Sequence, residues 1–124
     1  MKLLVDTHAA IWFLSADRRL GAGARTAIES PSNQILLSAV VVWEIAIKRA
    51  LGKLSIDRRY LQLLLDHGAE PLAISVDHAR AVESLPIHHS DPFDRLLIAQ
   101  AQAERATIVT HDPRFTAYGI AALW

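Results

Sequence analysis

Short apolar runs alternate with longer segments of helical spacing along this chain. Lys2 to Val5, Ile35 to Ser38 and Thr107 to Thr110 have the length and bulk of buried strands. Leu72-Ala73-Ile74 and Tyr118 to Ala121 are weaker strand candidates. Between them, six segments read as helices: Thr7 to Leu14, Gly21 to Ser30, Ala39 to Leu51, Asp57 to His67, Val76 to Leu85 and Pro92 to Arg105. Ser30-Pro31, Gly52, Gly68 and Pro86 supply stop signals. Asp57 reads as an N-cap, and Asp91 with Pro92 as the cap and first residue of the last long helix. Strands alternating with helices predict an α/β fold of three layers, α/β/α, around a central, mostly parallel sheet. No linker, repeat or low-complexity tract interrupts the pattern, so residues 1–124 are expected to form a single domain.

The polar exceptions to the apolar runs are acidic. Asp6 closes Leu3-Leu4-Val5, and Asp112 follows Ile108-Val109-Thr110-His111. Glu44 is the only polar residue between Ala39 and Ile47, and Asp94 lies one turn into the last long helix. Ligands of open parallel sheets bind beyond the carboxyl ends of the strands. Asp6 and Asp112 fall just after predicted strand ends, and Glu44 and Asp94 near helix starts, so all four can meet at that edge. Buried carboxylates need pairing, hydrogen bonds or a metal. Close like charges need a proton or a cation between them. A shared acidic site for a hard divalent cation follows.

Each acid also has a simpler account. Asp6 and Asp112 sit where N-caps sit, and Asp91 is better explained as a cap than as a ligand. Asp94, at a third helical position, favours the helix dipole. Glu44 lacks such an account, because its helix is apolar nearly all round and is expected to be buried on most sides. Ser38 and Thr110 end predicted strands, where a hydroxyl can orient a carboxylate or a water, or simply cap a turn. His88-His89 completes no zinc set. His8 and His111 flank two key acids. Trp12, Trp43 and Trp124 are expected in the core or at an interface.

Composition narrows the classes. Thirteen basic residues balance thirteen acidic ones, so net charge does not drive adhesion to a polyanion. A local patch would have to do so, and the densest is Lys48, Arg49, Lys53, Arg58 and Arg59. Absence of cysteine removes disulfides and thiol chemistry and fits a reducing compartment. No signal peptide is read, and no apolar run approaches the ~18 residues of a membrane span. A soluble, cytoplasmic protein without a membrane partner is expected.

Several blocks recur together in one known family. They are Asp6-Thr7-His8 with Trp12, Ser38 with Trp43-Glu44-Ile45-Ala46-Ile47-Lys48, and Gly52-Lys53-Leu54. His88 to Ala101, with its Asp91-Pro92-Phe93-Asp94-Arg95 core, and Thr110 with Asp112 complete the set. Over essentially its whole length the chain resembles PIN-domain toxins of the VapC type. That resemblance implies a PIN-like fold and a Mg²⁺- or Mn²⁺-dependent endoribonuclease. Asp6, Glu44 and Asp94 match the family's acidic core, and Asp112 its more variable fourth position. The resemblance also implies a toxin–antitoxin pair, inhibition by a VapB-like antitoxin, and a homodimer. Asp6 and Asp94 would be direct ligands, Glu44 would bind a second ion or hold and deprotonate the attacking water, and Asp112 would act through water or complete the second ion's site. Lys48, Arg49 and Lys53 would bind RNA. A metal-dependent phosphatase and a catalytically silent binding module are the alternatives. A phosphoacceptor receiver domain lacks its acidic pair, its acceptor aspartate and its late lysine here.

Overall fold

Five strands and seven helices make up the computed structural model, which describes residues 1–124. The strands are β1 (Lys2–Val5), β2 (Gln34–Ser38), β3 (Glu70–Leu72), β4 (Thr107–Val109) and β5 (Ala122–Leu123). The helices are α1 (Thr7–Leu14), α2 (Ala22–Glu29), α3 (Ala39–Ala50), α4 (Tyr60–Asp66), α5 (Val76–Ala81), α6 (Pro92–Glu104) and α7 (Pro113–Thr116). A 3₁₀ turn at Val82–Ser84 follows α5.

Every strand pairing is parallel, in the order β3-β2-β1-β4-β5. The central position falls to β1, whose Leu3, Leu4 and Val5 are at most 3% exposed. A strand that is apolar at consecutive positions suits a sheet covered on both faces. The chain steps outward from β1 to β3, then returns past β1 to β4. Right-handed crossovers therefore place α1 to α4 on one face and α5 and α6 on the other. In the packing, α1 meets α3 and α4, and α5 meets α6, while α3 also meets α6 where it passes the carboxyl edge of the sheet. The reversal lies between β1 and β4, which pair through Leu3–Thr107, Leu4–Ile108 and Val5–Val109. At their carboxyl ends diverging connections open a crevice, the usual ligand position in such sheets.

Several elements depart from the sequence pattern for physical reasons. The fourth helix begins at Tyr60, not Asp57. The Asp57 carboxylate accepts the Arg59 N–H at 2.8 Å and pairs with its guanidinium at 3.0 Å, closing a turn before the helix. Strand β3 is Glu70–Leu72 rather than Leu72 to Ile74 and includes Pro71. A proline is tolerated there because β3 is an edge strand, so one missing donor costs little. The last strand forms at Ala122–Leu123, not Tyr118 to Ala121. Gly119, at φ +73°, turns the chain first, and Tyr118 is buried against His88, His89 and Arg95 instead. Helix α3 is less enclosed than its apolar sequence predicts: Trp43 is 54% exposed and stands edge-on to Phe93 at 4.9 Å.

Behind the crevice, a buried polar tie joins α3, α5 and α6. Ser38 caps α3 by accepting the Val40 N–H at 3.0 Å and donates to Oε1 of Gln100. Gln100 Nε2 donates to the Ala73 carbonyl and to His78 Nδ1, each at 3.3 Å. Ser38 and Gln100 are both fully buried. Ser38→Ala removes the cap and leaves the Gln100 oxygen without its donor. The cap is worth about 0.5–2 kcal/mol, and an unsatisfied buried acceptor costs about 1–3 kcal/mol. The variant should unfold in urea about 2–4 kcal/mol more easily. A loss below about 0.5 kcal/mol would contradict the tie.

Candidate active site

The crevice at the carboxyl edge of β1 and β4 is a cleft of about 430 Å³. Asp6, Glu44, Asp94 and Asp112 all line it, with Thr7, His8, Trp12, Lys48, Asp91, His111 and Arg114. Each acid arrives by a different local device. Asp6 caps α1, its Oδ1 accepting the Ala9 N–H at 2.7 Å. Asp112 caps α7, accepting the Arg114 N–H at 2.9 Å. Asp91 caps α6 by accepting the Asp94 N–H at 2.9 Å. That cap sets Asp94 at the third helical position, facing the cleft. Glu44 rides on the second turn of α3, where Thr7 Oγ1 donates to its Oε1 at 2.6 Å. The caps and the cleft are therefore compatible accounts of the same residues.

The rest of the Asp91-Pro92-Phe93-Asp94-Arg95 block has its own work. Pro92 starts α6, where no N–H is needed. Phe93 meets Trp43. Arg95 Nη1 donates to the Pro86 carbonyl at 2.8 Å and to the Tyr118 hydroxyl at 3.1 Å. It thereby fastens the segment leading into α6.

Cations already sit on three of the four acids. Lys48 Nζ lies 2.9 Å from Glu44 Oε2. Arg114 grips Asp112 at 2.6 Å and reaches Asp94 Oδ2 at 3.7 Å. His89 Nε2 stands 3.2 Å from the same Asp94 oxygen. As the side chains stand, no three carboxylate or imidazole groups converge closely enough to hold an ion. Arg114 was not apparent in the acidic pattern, but a local signal exists. Asp17-Arg18-Arg19, Asp57-Arg58-Arg59 and Asp112-Pro113-Arg114 share one spacing, and in all three the arginine pairs with the aspartate two residues before it. His89, adjacent to His88 and without metal spacing, carried no such signal.

The other sequence candidates divide. Thr110 belongs to the acidic edge: its hydroxyl accepts the Asp112 N–H at 3.1 Å and helps stabilise the Asp6 carboxylate. Ser38 does not reach a carboxylate, because its hydroxyl is taken by Gln100. Lys48 lines the cleft, and with Lys53 and Arg19 it also lines an adjoining groove of about 400 Å³. Arg49 turns into a separate hollow, its guanidinium 5.6 Å from the Tyr60 ring centre. Trp12 stacks on His8 at 5.1 Å and carries Arg19 at 4.7 Å.

Burial shapes the charges. Asp6 is 7% exposed, and loss of solvent pushes its carboxyl above the ordinary value. Asp94 is pushed up to about 6, first by burial and then by the charge of Asp91, with the His89 bond pulling the other way. Asp112 is held below its ordinary value by the Arg114 guanidinium. A carboxyl whose pKa rises on folding supports the fold fully below its unfolded pKa, and that support is lost as pH climbs through the folded value. For Asp94 the window runs from 3.8 to about 6, and Asp6 acts in the same direction. Asp112 acts oppositely: its support is present above the unfolded pKa and fades as pH falls through its lowered one. In chelator, Asp94→Asn should therefore stabilise the chain near pH 7.5 by about 1–3 kcal/mol, and by much less near pH 4. Urea titrations at the two pH values measure this. A variant less stable than wild type near pH 7.5 would leave the helix-dipole account of Asp94 in possession.

Comparison with known proteins bears on the family and the fold. Residues 3–121 match the PIN domain. Ribonuclease VapC22 of Mycobacterium tuberculosis is 30% identical over 124 residues, covering 94% of this chain and 91% of that protein. Among solved structures, VapBC2 from Rickettsia felis, bound to a DNA fragment from its promoter, superposes with a TM-score of 0.73 at 19% identity. That match covers 99% of this chain and 98% of the other. The sarcin–ricin loop cleaving toxin VapC20 of Mycobacterium tuberculosis gives 0.66 at 17% identity, covering 96% of each chain. With its parallel sheet, its acidic crevice and a match over nearly its whole length, the chain belongs to the PIN-domain family.

Proposed function

We propose that this chain is the toxin of a type II toxin–antitoxin pair, a Mg²⁺- or Mn²⁺-dependent endoribonuclease acting in the cytoplasm. Its partners in this reading are an RNA substrate, a VapB-like antitoxin and a second copy of itself. The observation that carries it is the arrival of Asp6, Glu44, Asp94 and Asp112 at one cleft on the switch-point edge of a parallel sheet. The name of the full-length relative, a ribonuclease, supports the reaction class. The toxin–antitoxin neighbours support the partner. No helix is long and apolar enough to cross a membrane.

The donor set suits the ion. All four groups are hard oxygen donors, the type Mg²⁺ and Mn²⁺ take. Asp6 and Asp94, whose charge is costly where they stand, would be direct ligands. When bound, the ion would lower the pKa of an attacking water and offset charge on the phosphodiester. The chain's own groups do the rest. Thr7 orients Glu44, which would hold the water and take its proton. Lys48 and Arg114 would exchange carboxylate partners for phosphate oxygens as RNA enters. Lys53 and Arg19 would hold the strand along the adjoining groove.

RNA cleavage with Mg²⁺, Mn²⁺ or chelator tests the reading. Asp6→Asn, Glu44→Gln and Asp94→Asn should each abolish cleavage, with double variants no worse than singles, because the groups act as a unit. Asp91→Asn should keep its activity, since asparagine caps as well as aspartate. Undiminished cleavage by Asp94→Asn would remove that residue from the site. Folded, metal-binding protein that cleaves no RNA would select the phosphatase or silent-module reading instead.

The split of the basic stretch makes a separate prediction. Each phosphate contact contributes about 0.7 to the salt slope for single strands. Lys53→Ala should flatten the salt dependence of RNA binding by about that amount, and Arg49→Ala should leave it unchanged. Filter binding across a salt series decides. The opposite pattern would move the RNA path to the Tyr60 hollow.

A further inference from the structure

His89 reaches the cleft through Asp94, and its neighbours dictate its hydrogen-bonding state. Its ring is 7% exposed and lies between two elements. Nε2 faces Asp94 Oδ2 at 3.2 Å, and Nδ1 faces the Tyr118 hydroxyl at 2.7 Å. Which nitrogen carries the hydrogen follows from the other partners of that hydroxyl. The Tyr118 oxygen receives the His89 backbone N–H at 3.3 Å and Arg95 Nη1–H at 3.1 Å. A hydroxyl has two lone pairs and one hydrogen. With both lone pairs engaged, its hydrogen goes to an acceptor. Nδ1 at 2.7 Å is well placed, and the alternative, the His89 carbonyl, is 3.5 Å away. Arg95 cannot give up its proton and is anchored on the Pro86 carbonyl, so its donation to Tyr118 is permanent. Nδ1 is therefore an acceptor, and the neutral ring carries its hydrogen on Nε2, toward Asp94.

We propose that His89 is a positioning residue for the acidic site, presenting one fixed Nε2–H that holds the Asp94 carboxylate in a single orientation. The donors run in one direction, from Arg95 to Tyr118 to His89 to Asp94. They start and end on the first turns of α6 but pass through two other segments, the approach to α6 and the turn after α7. Every protein hydrogen bond or ion pair to this carboxylate lands on Oδ2, from His89 and from Arg114. Oδ1 is left without a protein donor and is the oxygen available to a cation. Outer groups that orient a ligand in this way typically change metal affinity by about 10–100-fold when removed. The inference rests on the reading of the cleft as a cation site, so its test includes a measurement made without metal.

The first measurement is long-range ¹H–¹⁵N correlation of the imidazoles in the metal-free full chain near pH 8. The expected signature is a single Nε2–H tautomer for His89, lost in Tyr118→Phe. An Nδ1–H tautomer, or averaging between the two, overturns the proposal. The second is Mn²⁺ titration by calorimetry, with urea unfolding to confirm folded protein. His89→Leu should weaken Mn²⁺ binding by about 10-fold or more. His89→Gln, whose amide N–H falls near the position of Nε2, should recover most of the affinity. Equal affinities for wild type, His89→Leu and His89→Gln overturn the proposal. A wild-type chain that binds no Mn²⁺ overturns the cation reading of the cleft, and the tautomer then decides the role of His89 alone. RNA cleavage enters neither measurement, so failure of the nuclease reading is seen separately.

Discussion

Four carboxylates at the carboxyl edge of a parallel sheet create an electrostatic problem, and much of the cleft is arranged around it. Asp6 terminates the most buried strand, so its charge is drawn into the protein by the same hydrophobic run that centres the sheet. Asp94 follows because its helix cap points it inward. Like charges at this spacing attract whatever cations the chain can offer. Lys48 answers at Glu44 and Arg114 at Asp112 and Asp94, and His89 adds a hydrogen bond to Asp94. An arginine cannot relieve the strain by losing its proton. It can leave a carboxylate only by exchange, either for another anion such as a phosphate oxygen or in favour of a competing cation.

Much of the fold was legible because local and long-range signals agreed. Leu3-Leu4-Val5 could hardly be other than a buried strand, and Asp91-Pro92 is a helix start by both cap and ring geometry. The signal failed where a side chain competed with the backbone pattern. Arg59 reached back to Asp57 and turned an apparent cap into a separate turn. Pro71 hid an edge strand, and Gly119 moved the last strand to Ala122–Leu123. Trp43 showed that an apolar helix face is not always a buried one.

The acidic positions were legible because a carboxylate inside an apolar run needs a reason. Their partners were not. Lys48 is four residues beyond Glu44 and could be read from helix spacing, but Arg114 meets Asp94 only through the chain's return to β4 and α7. Ser38 was legible as a cap, but its buried partner was not. Its hydroxyl ends a strand beside the cleft in sequence, yet the residue that claims it, Gln100, lies on a helix far along the chain. The basic stretch divided because Lys48 and Arg49 are neighbours on a helix and must point about 100° apart.

The Ser38–Gln100 tie has a mechanical consequence. Ser38 precedes Glu44 by six positions on α3, and Gln100 follows Asp94 by six on α6. Both acids line the cleft, so the two helices run in opposite directions past a common pin. Six residues of helix span ~9 Å. A rotation of ~5° about the pin would displace either acid by ~0.8 Å over that span. That exceeds the roughly 0.3–0.5 Å by which oxygen–metal distances differ between Mg²⁺ and Ca²⁺. The separation of Glu44 and Asp94, and in the proposed cation reading the size of ion they would suit, thus depends on a buried hydrogen bond six residues behind each of them, together with the Trp43–Phe93 contact between the same two helices.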